Sequence, residues 1–210
     1  MLSTPARLAQ RQGKYGTPRH EYLQQLVRDY ARTPHHLRRE EIVAQLANFA
    51  YDPINYAAFR ELHVMELFGD LINTTTTDAT QKESESESKT RRLLVEFAMG
   101  GICNCVCDPA LQRSFLALDG ASQVLSYVMK LTLEDFTSEK TEDSVAFNTT
   151  LSALTICFFL LDSEAFVELT EDHVVTQLTT LLQHSNTQIA NIAAAFLTRS
   201  QELIASVHAY

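Results

Sequence analysis

One passage of this chain occurs three times in recognisable form. The three copies are QLANFAYDPINYAAFRELHVMELFGDLI from Gln45, GICNCVCDPALQRSFLALDGASQVLSYV from Gly101 and TICFFLLDSEAFVELTEDHVVTQLTTLL from Thr155. In the first two copies the Asp-Pro pairs that start at Asp52 and Asp108 lie 56 positions apart. Repeated units of this kind stack, because one unit cannot bury its apolar face alone. The repeat therefore predicts a solenoid with a long surface of the kind that binds a partner.

Each copy has the spacing of helices. Apolar residues recur every three or four positions, and the Asp-Pro pair marks a helix boundary. The residue before proline disfavours helical dihedrals, whereas proline itself fits the first turn of the next helix. The pattern predicts two short helices and then a long one in every unit, and hence an all-α fold.

Two polar segments interrupt the units, both just before the long helix. They are NTTTTDATQKESESESKT at 73–90 and LEDFTSEKTED at 133–143. The first contains almost no apolar side chain, so we expect a disordered insertion there, and we expect a loop insertion in the second. Without these insertions the repeat approaches the roughly 40 to 47 residues of helical repeat units. We expect the serines and glutamates at 83–88 to form a solvated linker, with an acidic kinase target as the alternative.

The N-terminal residues differ from the rest. Residues 1–19 contain two glycines, two prolines and four basic side chains, with no acidic residue and no helical period. We expect a flexible arm there, with a docking or targeting segment as the alternative, and a repeat domain over 20–207.

Composition limits the function. A formal charge of -9 disfavours binding to phosphates, so we expect no direct nucleic-acid partner. No apolar stretch is long enough to span a bilayer and no signal peptide is evident, so we expect no membrane and an intracellular location. Three of the four cysteines are crowded into five residues, which suits free thiols in a reducing compartment.

Neither a metal site nor an enzyme is indicated. On a helix Cys103 and Cys107 share a face while Cys105 points away, so we expect buried thiols and no metal. The pair His35 and His36 lacks accompanying ligands. No nucleotide-binding glycine motif, hydrolase elbow or zinc-protease motif occurs, and we expect no cofactor and no catalytic residues.

The long helices carry a recognisable signature. LANFA at 46–50 and ICNCV at 102–106, in units of two short helices and a long one, resemble the armadillo repeat with its Leu-x-Asn-Leu motif in the third helix. The resemblance implies a right-handed α-solenoid of about four armadillo repeats. It also implies that the third-helix asparagines line a concave groove and bind the backbone of an extended partner, a role that falls on Asn48 and Asn104. The third unit has Phe158 where an asparagine would stand, and the chain has no tryptophan.

Other residues near these asparagines complete the candidate partner-binding set. Glu41, Gln45 and Glu96 lie within one or two turns of them. An asparagine near a helix end also bonds local backbone, so capping is a second role that does not exclude binding. For the pair Gly100-Gly101 we expect close helix packing, since glycine within a helix costs about 1 kcal/mol, with bare backbone beside the candidate binding residues as the alternative.

These observations favour a non-enzymatic adaptor that holds an extended peptide or a helix of a partner protein. The resemblance implies a nuclear or cytoplasmic setting, an association with pre-mRNA splicing factors and membership of a larger ribonucleoprotein assembly. Two alternatives remain open. A helical-repeat nucleic-acid binder would need a basic, aromatic inner face, where this chain has Glu41 and Glu96. A regulatory subunit of an enzyme complex would differ only in what it binds.

Overall fold

The computed structural model describes residues 17–77, 84–136 and 144–207, and all regular structure in these ranges is helical. In chain order the elements are α1 Arg19–Arg32, α2 His36–Phe49, a 3-10 turn Pro53–Asn55, α3 Tyr56–Glu61, α4 Val64–Thr77, α5 Glu85–Cys105, α6 Pro109–Leu116, α7 Gly120–Val128, α8 Ser144–Leu160, α9 Phe166–Leu169, α10 Asp172–Leu181 and α11 Thr187–Val207. No helix in the described ranges has the length and apolar character that a membrane span requires.

The long helices form a stack. α2 packs on α5, α5 on α8 and α8 on α11, and each also contacts the helix before it, namely α1, α4, α7 and α10. Within the described residues this makes one partial unit, α1 and α2, followed by three complete units that end with α5, α8 and α11. The predicted all-α solenoid is confirmed.

Buried positions recur in register along the stack. One row consists of Ile42, Ala98, Ala153 and Ala193, and the next of Leu46, Ile102 and Cys157. The register corrects one expectation from the sequence. Counted from the buried rows, Phe159 rather than Phe158 is equivalent to Asn104. Alignment on the aspartate had given Phe158, because the third unit has one residue fewer between its last buried position and its aspartate. Ala153 and Ala193 are 40 positions apart, the length expected of a unit without an insertion.

The Asp-Pro boundaries are helix caps. Asp108 accepts hydrogen bonds from the backbone N–H groups of Ala110 at 3.1 Å and Leu111 at 3.0 Å. Asp52 accepts one from Ile54 at 3.3 Å. Such side-chain acceptors satisfy N–H groups that lack partners at the start of a helix. Ion pairs of Asp52 with Arg19 and of Asp108 with Arg60, at 3.5 and 3.2 Å, join these caps to preceding helices.

The insertion expected at 73–90 is shorter than the sequence indicated. Helix α4 continues to Thr77 and α5 begins at Glu85, so only 78–83 lies outside the described residues. The cause is a capping box, in which Ser84 accepts from the N–H of Glu87 at 3.3 Å and the Glu87 carboxylate accepts from the N–H of Ser84 at 2.9 Å. This start signal lets polar residues extend a helix whose later turns are anchored in the core, and Thr90 is already buried.

The second insertion and the arm are described only in part. Of 133–143, the first four residues form a turn in which Phe136 packs edge-on against Phe147 at 5.3 Å between ring centroids. Residues 137–143 lie outside the described ranges. Of the arm expected at 1–19, residues 1–16 also lie outside them, and Arg19 already belongs to α1.

Candidate partner-binding face

The long helices share a solvent-accessible side, here called the long-helix face. Three parallel rows of equivalent positions run along it. The first is Glu40, Glu96, Leu151 and Asn191; the second is Ala44, Gly100, Thr155 and Ala195; the third is Asn48, Asn104, Phe159 and Arg199. All twelve side chains or backbone positions are half-buried or exposed. The middle row contains only small residues.

The two adjacent glycines of α5 have different surroundings. A Cβ atom at Gly101 would lie 2.5 Å from the ring of Phe68, so this glycine permits the close packing that the sequence indicated. A Cβ atom at Gly100 would meet nothing within 4 Å. The packing expectation is therefore wrong for Gly100, because its Cα faces the solvent side of the stack rather than α4.

Asn104 connects neighbouring long helices. Its carboxamide Nδ2 donates to the carbonyl oxygen of Ala47, at the end of α2, at 3.3 Å. Its backbone oxygen accepts from the Tyr56 hydroxyl at 3.1 Å. The equivalent Asn48 is exposed, and its carboxamide forms no hydrogen bond with any residue in the described ranges. The two asparagines are thus in the same register but have different partners, since no long helix precedes α2 within the described residues.

The remaining candidates on α2 have partners within the first unit. Gln45 Oε1 accepts from the Tyr22 hydroxyl at 2.6 Å, which joins α2 to α1. The Glu41 carboxylate pairs with Arg38 at 3.0 Å and is exposed. Gln45 therefore stabilises the packing of α1 on α2, and Glu41 remains accessible to a partner.

Glu96 joins α5 to α8. Its Oε1 accepts from Nδ2 of Asn148 at 2.6 Å. Glu96 is thus bonded to the next long helix and Asn104 to the previous one. A bound segment that crosses α5 would meet the backbone at Gly100 between them.

The apolar part of the face was not among the candidate partner-binding residues, and Phe158 was named from the sequence only as a departure from the asparagine pattern. Phe158 and Phe159 form an edge-to-face pair at 5.7 Å between centroids, and both are half-buried, as is Leu151. No spacing in the sequence marks this pair as accessible, because adjacent residues of the same helix, such as Ile156 and Cys157, are both buried.

The cysteines at the end of α5 and in the turn that follows it are divided between core and surface. Burial raises the pKa of the Cys103 thiol to about 11 and that of Cys105 to about 12. Cys105 also donates its S–H to the carbonyl of Gly101 at 3.2 Å. Cys107 is exposed, with a pKa raised by partial burial. Among the described residues no three side chains of His, Cys, Asp or Glu are grouped as a metal site.

A small cavity opens at the edge where both insertions lie. Its volume is about 170 Å³, and its surface is mainly apolar. It is lined by Arg92, Val95, Tyr127, Val145, Ala146, Thr149 and Thr150. The ammonium group of Lys130 lies 5.9 Å from the centroid of the Tyr127 ring.

Comparison with known proteins agrees with this architecture. No family model matches the chain. Over 82 residues the chain is 39% identical to armadillo repeat-containing protein 7 of Mus musculus, which covers 39% of this chain. The chain resembles the armadillo-repeat proteins. The match spans 34% of the length of that curated relative, about a third. The resemblance inferred from the third-helix motif is thereby confirmed, and it agrees with a helical repeat scaffold.

Proposed function

We propose that this protein is a non-enzymatic adaptor that holds an extended segment of a partner protein along the long-helix face. The observation that carries the proposal is Gly100. A glycine in the middle of a helix costs about 1 kcal/mol relative to alanine, and no neighbour requires it here. Its equivalents Ala44, Thr155 and Ala195 are also small, so a partner's backbone can approach all four long helices closely.

The groups beside this row suit a polypeptide backbone. The free oxygen and nitrogen of an amide match the N–H and C=O of a peptide group, and Asn48 offers both. Asn104 uses its Nδ2 within the stack, which leaves its Oδ1 for a partner's N–H. The half-buried rings of Phe158 and Phe159 supply an apolar contact further along the face.

Charge favours a basic and apolar partner segment over a nucleic acid. Glu40, Glu41 and Glu96 lie on the first two long helices. Arg199 of the last long helix is engaged by Asp162 at 2.6 Å and Glu202 at 3.3 Å. A phosphate backbone would need unpaired cations along the whole face.

The sharpest test places a bulky charged residue on the row of small residues. We expect Gly100→Arg to retain the melting temperature of the native protein, since its side chain enters open space, and to lose a partner that the unaltered protein captures from cell extract. The control is Val167→Asp, which changes a side chain that is 75% exposed on α9, away from the face. Capture of the partner by the Gly100→Arg protein, together with loss of capture by the Val167→Asp protein, would contradict the proposal.

The asparagines give a second, graded test. Asn48→Ala together with Asn104→Ala should weaken binding of that partner by about 1 to 3 kcal/mol, the effect of losing two hydrogen bonds. Asn104→Ala alone should also lower stability, because the Ala47 carbonyl loses its donor, while Asn48→Ala alone should not. Unchanged affinity in the double variant would exclude the amides from the site.

The cellular setting stays a prediction. The resemblance implies a nuclear role among splicing proteins and a place in a ribonucleoprotein assembly, and a regulatory subunit of an enzyme complex is the alternative. Mass spectrometry of the proteins that depend on Gly100 for capture distinguishes the two. Recovery that is abolished by ribonuclease would instead favour an indirect, RNA-mediated association.

A further inference from the structure

The long-helix face changes in chemical character between its second and third helices. Its first row has a carboxylate on α2 and on α5, at Glu40 and Glu96, but an apolar side chain on α8, at Leu151. Its third row changes in the same place, from the carboxamides of α2 and α5 to the ring of Phe159. A segment that lies along the face therefore meets an acidic, polar surface over two units and an apolar surface over the next.

The two carboxylates of the first row form no ion pair within the described residues. Glu40 is half-buried and has neither a hydrogen bond nor an ion pair to any residue in these ranges. Glu96 is also half-buried, and its partner is the neutral amide of Asn148 at 2.6 Å. Arg92, one turn before Glu96, lines the small cavity at the edge of the stack instead. Because a nearby positive charge stabilises a partly desolvated carboxylate, both positions favour a basic side chain of the bound segment.

Other charged residues of the face are already paired. The Glu41 carboxylate lies 3.0 Å from the guanidinium group of Arg38. The guanidinium group of Arg199 lies 2.6 Å from Asp162 and 3.3 Å from Glu202. These pairs gain less from a partner's charge than Glu40 and Glu96 do.

The apolar surface is formed by three residues of α8, here called the α8 patch: Leu151, Thr155 and Phe159. Thr155 is the smallest of them and lies about one helical turn from each of the others. Its hydroxyl donates to the carbonyl oxygen of Leu151 at 2.7 Å, so this donor is satisfied within the helix. The equivalent residues of the adjacent helices are Gly100 and Ala195, which add no bulk on either side. An apolar side chain can therefore pack on the patch without leaving a polar donor unpaired.

We infer that the segment held on the long-helix face carries two basic side chains and, on one side of them, an apolar side chain. This inference rests on the proposed function. The basic side chains pair with Glu40 and Glu96, and the apolar one packs on the α8 patch. Packed helices lie about 8 to 10 Å apart and an extended chain advances about 3.3 Å per residue, so the three side chains recur at intervals of about two or three residues.

The order of these side chains separates this partner from other charged segments. A third basic residue in place of the apolar one would set its charge on the α8 patch, which has no carboxylate, and would lose the apolar contact. Acidic residues over α2 and α5 would meet charges of the same sign. The face thus selects by repulsion as well as by attraction.

Binding of synthetic peptides to the full chain, measured by fluorescence anisotropy, tests the inference. The probes are two labelled peptides that carry two lysines and then a leucine in a serine background, spaced by two or by three residues. For the tighter probe, we expect replacement of leucine by serine to raise the Kd at least about tenfold, and Glu40→Lys or Glu96→Lys to raise it about fivefold. Glu164→Lys makes the same charge change at an exposed residue before α9 and should leave the Kd nearly unchanged.

A charge exchange gives a result that loss of folding cannot produce. A peptide with glutamates in place of the lysines should bind the Glu40→Lys, Glu96→Lys double variant more tightly than it binds the unaltered chain. Phe159→Ala should reduce the difference in Kd between the leucine and serine peptides, because that difference arises at the α8 patch.

Several outcomes would overturn the inference. They are no binding of either probe, equal binding of the lysine and glutamate peptides to the unaltered chain, and a Kd that does not depend on the leucine. Binding that appears only after removal of residues 1–16 would also overturn it, since the occupant would then be the chain's own basic N-terminal segment.

The proposed function and this inference fail in different ways. Capture of a cell partner that is lost with Gly100→Arg and retained with Glu40→Lys would support the long-helix face as a binding surface and overturn the assignment of the segment's charges. Capture that is retained with Gly100→Arg and lost with Val167→Asp would contradict the proposed function itself.

Discussion

Adjacent identical residues can have different roles, as Gly100 and Gly101 do. From sequence the two form one feature, a pair that exposes backbone within a helix. In the fold their Cα atoms lie about 100° apart around α5, so one faces Phe68 and the other faces solvent. Gly100 is a candidate for function, and Gly101 is required for packing.

Alanine substitution separates these roles. Gly100→Ala should raise the free energy of unfolding by up to about 1 kcal/mol, since alanine favours the helix and meets no neighbour. Gly101→Ala should lower it, because the new methyl group would overlap the Phe68 ring at 2.5 Å. Urea unfolding of both variants measures the difference. Destabilisation by Gly100→Ala would show that the position is constrained in a way its open surroundings do not indicate.

The thiols should react in the order of their exposure. At neutral pH we expect iodoacetamide to modify Cys107 first, while Cys105 and Cys157, whose pKa values burial raises to about 12, react only on unfolding. Peptide mass spectrometry over time gives the order.

The same groups predict a loss of stability in alkali. Their ordinary pKa is 9.0, so between about 9 and 12 the unfolded chain releases protons that the folded chain retains, and the free energy of unfolding falls as pH rises. Cys157→Val should flatten this decline. Rapid native labelling of Cys157 would contradict its burial.

Helices and their boundaries were the part of the structure that the sequence predicted best. The Asp-Pro caps at Asp52 and Asp108, and the periodicity of α2 and α8, were all readable from spacing. The start of α5 was missed because its first turns consist of serine, glutamate and lysine, a composition typical of disorder. The decisive signal was local, the Ser84-x-x-Glu87 capping box, and it outweighs composition when a buried helix follows.

Two deletions follow from this boundary. Replacing 78–83 with a short Gly/Ser linker should leave the melting temperature nearly unchanged, because closure entropy depends weakly on loop length. Removing 73–90 should lower it, since the deletion takes away the capping box and the buried Thr90. Thermal unfolding followed by circular dichroism compares the two. Equal melting temperatures would mean that the first turns of α5 contribute nothing to stability.

Over the whole molecule, the repeat predicted the stack but not its side-chain connections. The order of the long helices followed from sequence similarity among units. The hydrogen bonds from Asn104 to Ala47 and from Asn148 to Glu96 did not, because a one-residue error in register changes which side of a helix a side chain faces. Candidate residues chosen from the motif alone therefore included Gln45, which binds Tyr22, and omitted Phe159 and Gly100.

A one-dimensional stack should unfold from its ends. Each unit contacts only its neighbours, so stability is approximately the sum of the units and their interfaces. Leu154 and Phe196 are both 1% exposed, the first in the central helix α8 and the second in the last helix α11. Each change to alanine removes a buried apolar side chain, at a cost of about 2 to 5 kcal/mol.

We expect Leu154→Ala to speed hydrogen exchange throughout the stack, because α8 joins α5 to α11, and Phe196→Ala to speed it mainly in α10 and α11. Exchange monitored by mass spectrometry distinguishes the two patterns. Uniform acceleration in the Phe196→Ala protein would show that the units unfold as a single cooperative body.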